Sequence, residues 1–595
     1  MIPADHPFVL FDDARAGGRA RLLRDPVEVI AAQTSDEVGP ALDRLRAARA
    51  RGLYAAGWLG YEAGHALEPR LAALSRPAGD VPLLWFGLFE AIETVEAAAL
   101  LPDPAGAWAG PPRPLVDRAA YDAAFARVAG LIAAGDIYQA NLSFRAAVPF
   151  AGHPLALYAR LRAQAAAGWG GVVFTGAHWL LSCSPELFFL AEGDRLTTRP
   201  MKGTARRPAD PPADPAADAA AAAALVTDAK QRAENLMIVD LLRNDLSRVA
   251  VAGSVAVPAL FTLETYPTLH TLTSTVTATL APGRDAVDVL AAIFPCGSIT
   301  GAPKVRAMEI IAEVEADARG PYCGAIGLLE AGGDAAFNVA IRTLLVDAAT
   351  VARGGGEATL GLGSAVVADS AASGEWRECL AKGAFVSAGA RPFDLIETMR
   401  FDPFEGMIDL DRHLLRMKAS AQALGFRFDR HGAGNELQAA TFHLRVPARV
   451  RLMLAPSGAI AIETAALPPA PAGPAATVAI VPLPVDPHDF RLRHKTSDRG
   501  FYDAARRAAG TFEVVFADPA GFLTEGSFTS LFVERAGRML TPPLSRGLLP
   551  GVLRARLIGE GRAIEADLTA ADLAGGFLIG NALRGLIPAR LVSSA

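Results

Sequence analysis

The sequence predicts an α+β fold with two units: a larger N-terminal unit of large β-sheets packed with helices, followed by a smaller two-lobed α/β unit. Length is the first reason, because 595 residues exceed what one domain normally holds. The second is that strand-like runs such as Leu180 to Leu190 alternate with helical runs such as Asp228 to Val249 and Lys304 to Glu315. The third is that short β-rich runs, such as Val450 to Leu454, lie between helices in the C-terminal part.

Composition and charge exclude several functional classes. Hydrophobic residues make up 51% of the chain and charged residues 20%, so large cores can form. The net charge is −6 and there is no basic excess, so we expect no nucleic-acid partner. The N-terminus carries acidic residues where a signal peptide needs a basic head, and no later window offers about 18 uninterrupted apolar residues. We therefore expect a cytoplasmic protein with no membrane partner.

The cysteines point to the same compartment. They occur singly, without a CxxC pair, so neither a disulfide framework nor a cysteine zinc site is indicated. A reducing compartment agrees with this pattern. The four are Cys183, Cys296, Cys323 and Cys379.

Three biased stretches divide the chain. Arg206 to Ala224 is rich in Pro, Ala and Asp, and we interpret it as a loop running into an Ala-rich helix. Ser387 to Asp394, SAGARPFD, follows an amphipathic helix and contains a proline that blocks its continuation. We place the main boundary there, between domains of residues 1–388 and 389–595. A Pro/Ala run at Leu467 to Gly473 then separates two C-terminal lobes.

A loop near residue 300 has the form of an anion site. Ser298 to Ala302 contains a glycine and leads into a helical run that starts with Pro303. Free backbone N–H groups near Gly301 and the helix dipole would suit an anion, and Lys304 adds a positive charge. An ordinary helix start is the alternative interpretation of this segment alone.

Two helical runs carry carboxylates that are candidates for a metal site. In GEWRECLAKG, Glu375, Glu378 and Lys382 fall on one helical face. Glu234 lies in a second helix, just before an apolar run. Carboxylates converging from two helices repel each other, and a divalent cation would remove that repulsion. Oxygen-only ligation favours Mg²⁺ over zinc. Taken alone, the two helices are also typical of solvated charged faces.

Lys202 is a candidate nucleophile. It lies in TRPMKGT, in a neighbourhood of low charge, and follows the strand-like LSCSPELFFL that contains Glu186. An amine must lose its proton before it attacks carbon, which requires desolvation or a nearby cation. A structural lysine in a salt bridge is the alternative.

In combination, these motifs make residues 1 to 388 resemble the chorismate-utilising family, which includes anthranilate, isochorismate, salicylate and aminodeoxychorismate synthases. The N-terminal fold should then be the chorismate-utilising-enzyme fold. The lysine of PMKGT is typical of aminodeoxychorismate synthases, because anthranilate synthases carry a small residue there. The motifs that carry the resemblance are GDIYQANLS, SPELFF, PMKGT, RAENLMIVDLLRNDLSRV, FPCGSITGAPKVRAMEII, YCGAIG, FNVAIRT and ADSAASGEWRECLAKG.

The resemblance implies a mechanism. Lys202 would attack C2 of chorismate while Glu186 protonates the departing C4 hydroxyl, and ammonia would then enter at C4 and expel the lysine. The implied ligands of Mg²⁺ are Glu234, Glu375 and Glu378. The implied substrate-binding residues are His270, Gly301, Lys304, Tyr322, Arg342 and Lys382. No Cys/His/Glu glutamine amidotransferase module is recognisable in the sequence, so ammonia would come from solution or from a separate glutamine amidotransferase subunit.

The C-terminal part carries the residues that pyridoxal phosphate chemistry needs. Lys495, in RLRHKTSDRG, can form a Schiff base, and Glu525, in LTEGSFTS, can face a pyridinium nitrogen. Arg416 and the turn in TPPLSRGLLPGVLR, which opens a helix, suit a phosphate. As isolated residues, they would be surface charges.

This second set resembles the fold-type IV pyridoxal phosphate family of branched-chain aminotransferases, D-amino acid aminotransferases and aminodeoxychorismate lyases, over residues 392 to 595. The resemblance implies that Lys495 carries the cofactor and that Glu525 pairs with its ring nitrogen. The implied phosphate-side residues are Arg416, Leu549, Gly551, Val552, Asn581 and Ala582. Ser530 departs from the pattern, since many relatives have asparagine there.

Two features favour a lyase over an aminotransferase. FDLIETMRF places Thr398 where aminodeoxychorismate lyases have a threonine that assists proton transfer to the leaving enolpyruvyl group. The N-terminal unit would also supply 4-amino-4-deoxychorismate. The expected enzyme is therefore bifunctional and makes 4-aminobenzoate and pyruvate from chorismate and ammonia, with Mg²⁺ and pyridoxal phosphate. The alternatives are a synthase fused to a branched-chain or D-amino acid type aminotransferase, or a partly degenerate regulatory subunit.

Overall fold

The computed structural model describes residues 2, 5–74, 79–207, 214–266, 269–389 and 391–592. Large antiparallel sheets with helices in the N-terminal unit and a smaller α/β unit after it confirm the predicted fold class. Residues 208–213 of the predicted loop lie outside the described residues, and the Ala-rich helix after them begins at Pro215.

The N-terminal unit contains both β-strands and α-helices. Its strands are β1 (Phe8–Asp12), β2 (Ala20–Arg24), β3 (Glu28–Ala32), β4 (Tyr54–Leu59), β5 (Leu84–Phe89), β6 (Glu93–Val95), β7 (Trp108–Ala109), β8 (Arg113–Pro114), β9 (Gln139–Ala151), β10 (Gly170–Phe174), β11 (His178–Ser182), β12 (Leu187–Glu192), β13 (Arg195–Arg199), β14 (Met201–Arg206), β15 (Ala256–Thr265), β16 (Leu269–Thr279), β17 (Gly301–Ala302), β18 (Ala325–Leu329), β19 (Ala335–Val339), β20 (Thr343–Asp347) and β21 (Gly355–Val366). Its helices are α1 (Ser35–Ala50), α2 (Ala63–Leu67), α3 (Ala97–Leu100), α4 (Arg118–Ala133), α5 (Pro154–Ala165), α6 (Pro215–Thr227), α7 (Ala229–Ser247), α8 (Ala286–Ile293), α9 (Lys304–Val314), α10 (Ala348–Ala352) and α11 (Ala372–Gly383).

The described strands form two antiparallel sheets. The first follows the order β17-β9-β21-β20-β11-β10-β1-β2-β6, with β7 and β8 paired to β9. The second follows the order β14-β16-β13-β12-β19-β18-β4-β5-β3, with β15 paired to β16. The longest ladder joins β9 to β21 over twelve residue pairs.

The two sheets pack face to face, with helices on their outer faces. Val9 and Leu180 of the first sheet share a buried cluster with Trp58 and Trp85 of the second. Helices α1, α7 and α8 cover the outer face of the second sheet, and α5 covers that of the first. Burial of apolar surface between these four layers stabilises the unit.

The run Leu180 to Leu190, which the sequence predicts as one strand, is two strands in different sheets. β11 ends at Ser182 and β12 begins at Leu187, and the chain crosses between the sheets through the intervening segment. Pro185 in this segment has no N–H to donate to a ladder, which is the physical reason that pairing stops here. The crossing places Glu186 in a buried segment just before β12, outside the strands of either sheet.

The C-terminal unit has two sheets, one for each predicted lobe. Its strands are β22 (Leu395–Asp402), β23 (Gly406–Met407), β24 (Ala448–Leu454), β25 (Ile460–Ala466), β26 (Ala476–Pro482), β27 (Glu513–Ala517), β28 (Leu523–Gly526), β29 (Ser530–Arg535), β30 (Arg538–Thr541), β31 (Ala563–Glu565), β32 (Phe577–Asn581) and β33 (Gly585–Leu591). Its helices are α12 (Leu410–Ala423), α13 (Arg430–Thr441), α14 (Phe490–Arg493), α15 (Gly500–Ala509) and α16 (Val552–Gly559).

The first lobe is the sheet β23-β22-β24-β25, covered by α12 and α13. The second is the sheet β28-β27-β26-β33-β32-β29-β30-β31, in which β26 runs parallel to both β27 and β33. The chain passes between the lobes after β25, where the Pro/Ala run is located.

Two further observations concern the whole described chain. All four cysteines are buried and free. Among the described residues, no helix combines the length and the apolar character that a membrane span needs.

Candidate active sites

A cavity of about 230 Å³ opens in the N-terminal unit beside β14, β21, α7 and α11. It brings together residues that are far apart in sequence, from Asn141 to Phe385. The predicted site residues that line it are Glu186, Lys202, Glu234, Tyr322, Arg342, Glu375, Glu378 and Lys382.

Glu186 follows the crossing between the sheets and is 3% exposed. Its carboxyl accepts a hydrogen bond of 2.6 Å from the Ser298 hydroxyl. Burial raises the pKa of Glu186, although the Ser298 hydrogen bond and the nearby Lys202 act in the opposite direction. A carboxyl with a raised pKa keeps its proton to a higher pH, which suits a general acid.

Lys202 lies on β14 at an irregularity of the ladder. The register with β16 shifts between Met201 and Thr204, and Gly203 in this bulge has φ +86°, a conformation that favours glycine. Burial lowers the pKa of Lys202, and the positive charge of Lys382 lowers it further. The lowered pKa increases the fraction of free amine, which is the nucleophilic form.

Three carboxylates from two helices face the cavity. Glu234 extends from α7, and burial together with the charges of Glu378 and Glu375 raises its pKa. Burial acts to raise the pKa of Glu378 as well, but the ammonium of Lys382, at 2.8 Å, lowers it overall. Glu375 accepts a hydrogen bond of 2.7 Å from Ser370.

The chemistry of these three carboxylates suits an oxygen-ligated divalent cation. Their arrangement is more open than a coordination shell, because no group of three or more His, Cys, Asp or Glu side chains in the described ranges could hold a metal ion as placed. Lys382 supplies the positive charge next to Glu378 in this arrangement. Magnesium binding therefore stays a prediction.

Tyr322 is held against β21 by two glycines. A Cβ atom at Gly361 would lie 2.0 Å from the Tyr322 ring, and one at Gly363 would lie 2.9 Å from its hydroxyl. Only residues without a side chain allow this approach. Burial raises the pKa of Tyr322 well above its ordinary value, so its hydroxyl remains a hydrogen-bond donor. Arg342, with φ +49°, faces the same cavity.

Three predicted substrate-binding residues are placed outside the lining of this cavity. Lys304 donates to the Asp245 carboxylate at 2.5 Å and to the Ile293 carbonyl at 2.8 Å. The ring of His270 lies between Asp218 and Thr265. Gly301 pairs with β9.

Each of these three placements has a structural reason. Lys304 neutralises a buried carboxylate, and His270 has a partner at both ring nitrogens. A Cβ atom at Gly301 would lie 2.2 Å from the Gln139 carbonyl oxygen, so this glycine allows close strand contact. The side chains of Lys304 and His270 are thus engaged by other residues of the chain. A binding role for the three residues stays a prediction.

Sequence analysis missed the function of Ser298 as the partner of Glu186 and the position of Asn141 in the cavity. Both lie in motifs that carry the family resemblance, SITGAP and YQANLS, and that was the available signal.

A larger cavity, of about 480 Å³, lies between the two C-terminal lobes. All nine predicted site residues of this unit line it. They are Thr398, Arg416, Lys495, Glu525, Leu549, Gly551, Val552, Asn581 and Ala582.

Lys495 follows α14 in an extended segment that is tied to β22. Its carbonyl accepts from the backbone N–H of Ile396, and Thr496 forms a bridge with Leu395. This links the lysine to the strand that carries Thr398. Burial lowers the pKa of Lys495 to about 7, assisted by the charge of Arg416. The lowered pKa increases the fraction of free amine at neutral pH.

Glu525 lies on β28 and is 4% exposed. The Tyr502 hydroxyl donates to its Oε1 at 2.6 Å. Burial raises the pKa of Glu525 to about 7. A buried carboxyl that has one strong partner and a raised pKa is suited to pair with a positively charged ligand atom.

Arg416 is oriented by a buried carboxylate. Its Nε and Nη2 donate to the two oxygens of Glu397 at 2.8 and 2.6 Å, while its Nη1 donates to the Pro550 carbonyl at 3.0 Å. His413 Nδ1 lies 2.6 Å from Glu397 as well. Burial alone would raise the pKa of Glu397, but these two partners lower it far below its ordinary range. The carboxylate is thus ionised and holds both side chains in place.

The turn beside Arg416 has little room for side chains. A Cβ atom at Gly551 would lie 2.6 Å from the Ser530 hydroxyl. The Asn581 side chain accepts from the backbone N–H groups of Leu583 and Arg584 and donates to the Phe528 carbonyl, which closes the second turn.

Glu397, His413 and Tyr502 were not predicted as site residues. The motif FDLIETMRF contains Glu397. The face of β22 on which its side chain lies could be assigned only once α12 was seen to pack on that face. His413 lines the cavity, and its Nε2 is buried with no partner among the described residues.

Comparison with known proteins identifies both units. Residues 6–388 match the family of chorismate binding enzymes, which is more than half of the chain. The chain belongs to the chorismate binding enzyme family. Residues 394–592 match the class IV amino-transferase family. Both predicted resemblances are thereby confirmed at the level of the family.

Relatives of the chorismate binding unit include two kinds of synthase. Aminodeoxychorismate synthase component 1 of Escherichia coli is 42% identical over 265 residues, 44% of this chain and 56% of that protein. Anthranilate synthase component 1 of Streptomyces coelicolor is 42% identical over 258 residues, 43% of this chain and 48% of that protein. The chain therefore spans about half the length of these curated relatives.

A solved structure shows the same fold. Anthranilate synthase component I from Streptococcus pneumoniae superimposes with a TM-score of 0.51 and 24% identity, covering 65% of this chain and 93% of that chain. The similarity establishes the fold of the chorismate binding unit.

The buried Glu525 gives a prediction for the cofactor-free protein. A group whose pKa rises from 4.5 unfolded to about 7 folded contributes stability that is present below pH 4.5 and is lost as the pH rises through 7. Such a shift corresponds to on the order of 3 kcal/mol. We expect the free energy of unfolding of Glu525→Gln to fall less steeply from pH 5 to pH 7.5 than that of the wild type, measured by urea denaturation. Glu534→Gln, at an exposed position, is the control, and parallel curves for Glu525→Gln and wild type would contradict the prediction.

Proposed function

We propose that this protein converts chorismate and ammonia to 4-amino-4-deoxychorismate in its N-terminal unit, and that the C-terminal unit converts that product to 4-aminobenzoate and pyruvate. The observation that carries the proposal is that one cavity contains an amine with a lowered pKa, Lys202, near a carboxyl with a raised pKa, Glu186. An amine with a lowered pKa and a carboxyl with a raised pKa suit the displacement of a hydroxyl.

The first reaction follows from these two groups. The Lys202 amine attacks C2 of chorismate, and Glu186 gives its proton to the C4 hydroxyl, which leaves as water. Ammonia then adds at C4, and the bond between C2 and Lys202 breaks to return the free amine. Ser298 fixes the orientation of the Glu186 carboxyl through its hydrogen bond. The para position of the new amino group is a consequence of attack at C2.

Magnesium would neutralise the substrate carboxylate in this cavity. Its proposed ligands are Glu234, Glu375 and Glu378, which face the cavity from α7 and α11. Tyr322 and Arg342 supply a hydroxyl and a guanidinium for the same substrate.

Ammonia is proposed to come from solution or from a separate glutamine amidotransferase subunit. The names of the relatives, synthase component 1, indicate that those proteins are one component of a larger system. We extend this to the present chain as a proposal.

The C-terminal cavity fits pyridoxal phosphate. Arg416 and the turn Leu549 to Val552 would hold the phosphate, Lys495 would hold the aldehyde carbon, and Glu525 would hold the ring nitrogen. The unpartnered His413 Nε2 beside Arg416 supports an anion at that end. When bound, the cofactor supplies an electron sink for the carbon that bears the amino group.

Two residues of the chain would handle protons in the second reaction. The Lys495 amine, with a pKa of about 7, can take the C4 proton of the amino-substituted ring at neutral pH. The Thr398 hydroxyl lines the same cavity and can pass a proton to the enolpyruvyl group as it leaves. Loss of the C4 proton and of pyruvate makes the ring aromatic.

The decisive experiment uses the purified full-length protein. Incubation with chorismate, ammonium, Mg²⁺ and pyridoxal phosphate should yield 4-aminobenzoate and pyruvate in equal amounts, identified by mass spectrometry. Formation of 2-aminobenzoate instead would refute the proposed first reaction.

An aminotransferase is the second candidate for the C-terminal unit, since that unit matches the class IV amino-transferase family. The two candidates differ in stoichiometry. A lyase releases pyruvate without a keto-acid acceptor, whereas an aminotransferase requires one.

Lys202→Ala tests the first reaction. Because the nucleophile is removed, we expect a loss of para-directed amination of at least ~100-fold, measured as 4-amino-4-deoxychorismate formed from chorismate and ammonium. Pyruvate release from supplied 4-amino-4-deoxychorismate should be unchanged, which serves as the internal control. Full synthase turnover in this variant would remove Lys202 from the mechanism.

Glu378→Gln tests the metal site. Loss of one anionic ligand should weaken Mg²⁺ binding by ~10-fold or more, measured by isothermal titration calorimetry in the absence of turnover. Glu357→Gln, on β21 outside the cavity lining, is the matched control. Equal affinities for the two variants would exclude Glu378 as a ligand.

Thr398→Ala tests the lyase assignment. The residues proposed to hold the cofactor are unchanged, so the absorbance of bound pyridoxal phosphate should be retained, while pyruvate release should slow by ~100-fold because a proton donor is lost. Stopped-flow measurement of pyruvate formation checks the rate. A fully active Thr398→Ala variant would contradict the assigned proton transfer.

A further inference from the structure

The C-terminal cavity is strongly positive. Besides Arg416, its lining includes five arginines, and Glu525 is the one acidic residue among the described residues that line it. Arg416 is assigned above to the cofactor phosphate. The remaining positive charge therefore calls for further anionic groups on the substrate. The five arginines are Arg449, Arg451, Arg499, Arg506 and Arg584.

Three of the five already have partners in the chain. Arg449 forms an ion pair of 2.7 Å with Glu463. Arg506 pairs with Asp503 at 3.2 Å. Arg584 donates to the Pro469 carbonyl at 2.6 Å.

Arg451 differs from these three. It lies on β24 directly opposite Thr398 on β22, so the two side chains share the face that lines the cavity. Throughout the part of the chain that the structure describes, it has no hydrogen-bond or ion-pair partner, and its Nε is buried. Glu463 is opposite Arg451 on β25, but its carboxylate is bound by Arg449.

Arg499 is the second arginine of the cavity whose guanidinium can donate further hydrogen bonds. Its Nη2 donates a hydrogen bond of 3.3 Å to the Ser527 carbonyl, and its Cζ lies 4.3 Å from the centre of the Tyr502 ring. Its Nη1 is buried with no partner among the described residues. Both Arg451 and Arg499 are close enough to Lys495 for their charges to act on its amine.

We propose that Arg451 and Arg499 form a subsite for two carboxylates, and that Arg451 is a specificity-determining residue that selects a cyclic dicarboxylate over an amino acid with one carboxylate. The subsite deepens the proposed lyase function and rests on it. A substrate such as 4-amino-4-deoxychorismate carries one carboxylate on the ring and one on the enolpyruvyl group. A small amino acid carries only one.

The physical basis is the cost of leaving a buried guanidinium nitrogen without a partner, which applies to Nε of Arg451 and Nη1 of Arg499 among the described residues. A dicarboxylate satisfies both arginines, whereas a monocarboxylate leaves one of them unpaired in a cavity. Because Arg451 faces Thr398, the carboxylate that it binds would also bring the leaving group next to the proposed proton donor. The same contact would thus select the substrate and orient its leaving group.

The test is a binding titration of the full-length protein loaded with pyridoxal phosphate. Benzene-1,3-dicarboxylate and benzoate are the probes, and the absorbance of the bound cofactor is the readout, so no turnover is needed. We expect the wild type to bind the dicarboxylate at least 10-fold more tightly than benzoate. Arg451→Met should reduce this ratio to near 1, and Arg451→Lys should give an intermediate value.

The control is Arg400→Met, which removes the same charge from the same face of β22 at a position outside the cavity lining. It should keep the wild-type ratio. If Arg451→Met does not fold, which would appear as a loss of the cofactor absorbance, Arg499→Gln provides the second variant and should also lower the ratio.

The outcomes separate the subsite from the reaction. A wild-type ratio near 1, or an unchanged ratio in a folded Arg451→Met protein, overturns the proposed subsite. A high ratio that Arg451→Met removes supports it, even if the wild type releases no pyruvate from 4-amino-4-deoxychorismate. In that case the proposed lyase function fails and the dicarboxylate subsite remains. With an active lyase, Arg451→Met should raise KM for 4-amino-4-deoxychorismate at least 10-fold.

Discussion

The face-to-face packing of the two large sheets is the constraint on which the N-terminal site depends. Trp58 and Trp85 stack at 5.5 Å within the buried layer between the sheets, together with apolar residues from β1 and β11. This layer fixes the distance between the sheets, and the chain must cross that distance between β11 and β12. Glu186 lies at the end of the crossing. The position of the acid is therefore a result of sheet packing rather than of local structure.

Burial of ionisable groups then gives each cavity its chemistry. In the N-terminal cavity, burial raises the pKa of Glu186 and lowers that of Lys202, so that the acid holds its proton and the amine is more readily free. In the C-terminal cavity, burial brings the pKa of both Glu525 and Lys495 to about 7. In both units, one physical effect, the cost of charge in a poorly solvated site, shifts the pKa of a carboxyl and of an amine.

Partners decide which of the charged residues remain available. Lys304 and Arg449 are each engaged by a carboxylate of the chain, and their charge is used for structure. Lys202 and Arg451 have no ion-pair partner among the described residues and face cavities. The same contrast separates Glu397, which the Arg416 guanidinium holds in its ionised form, from Glu525, which accepts a hydrogen bond from the neutral Tyr502 hydroxyl. In these comparisons, a charged partner engages Lys304, Arg449 and Glu397, whereas Lys202 and Arg451 remain available to a ligand.

Much of the molecule follows from local sequence. The helices and strands of the C-terminal unit lie close to where periodicity places them, as with the run Val450 to Leu454 inside β24. Each of the nine predicted C-terminal site residues lies in a motif with a local structural basis, such as a turn, a helix start or a strand, and the packing of the two lobes brings them to one cavity. The run Leu180 to Leu190 is the counterexample, since its apolar pattern is the same whether it forms one strand or two.

Residue types, their spacing and their motifs by themselves determined the family and the fold class and predicted which groups are chemically reactive, because these depend on side-chain chemistry and local periodicity. Tertiary structure alone decided which charges are paired. Lys304, His270 and Lys202 are equally polar in sequence, yet only Lys202 lines the cavity. Their partners, Asp245 and Asp218, are 59 and 52 residues away in the chain. The reason is physical: an ion pair or a desolvated amine is defined by distances across the folded core, and those distances are set only when the sheets pack.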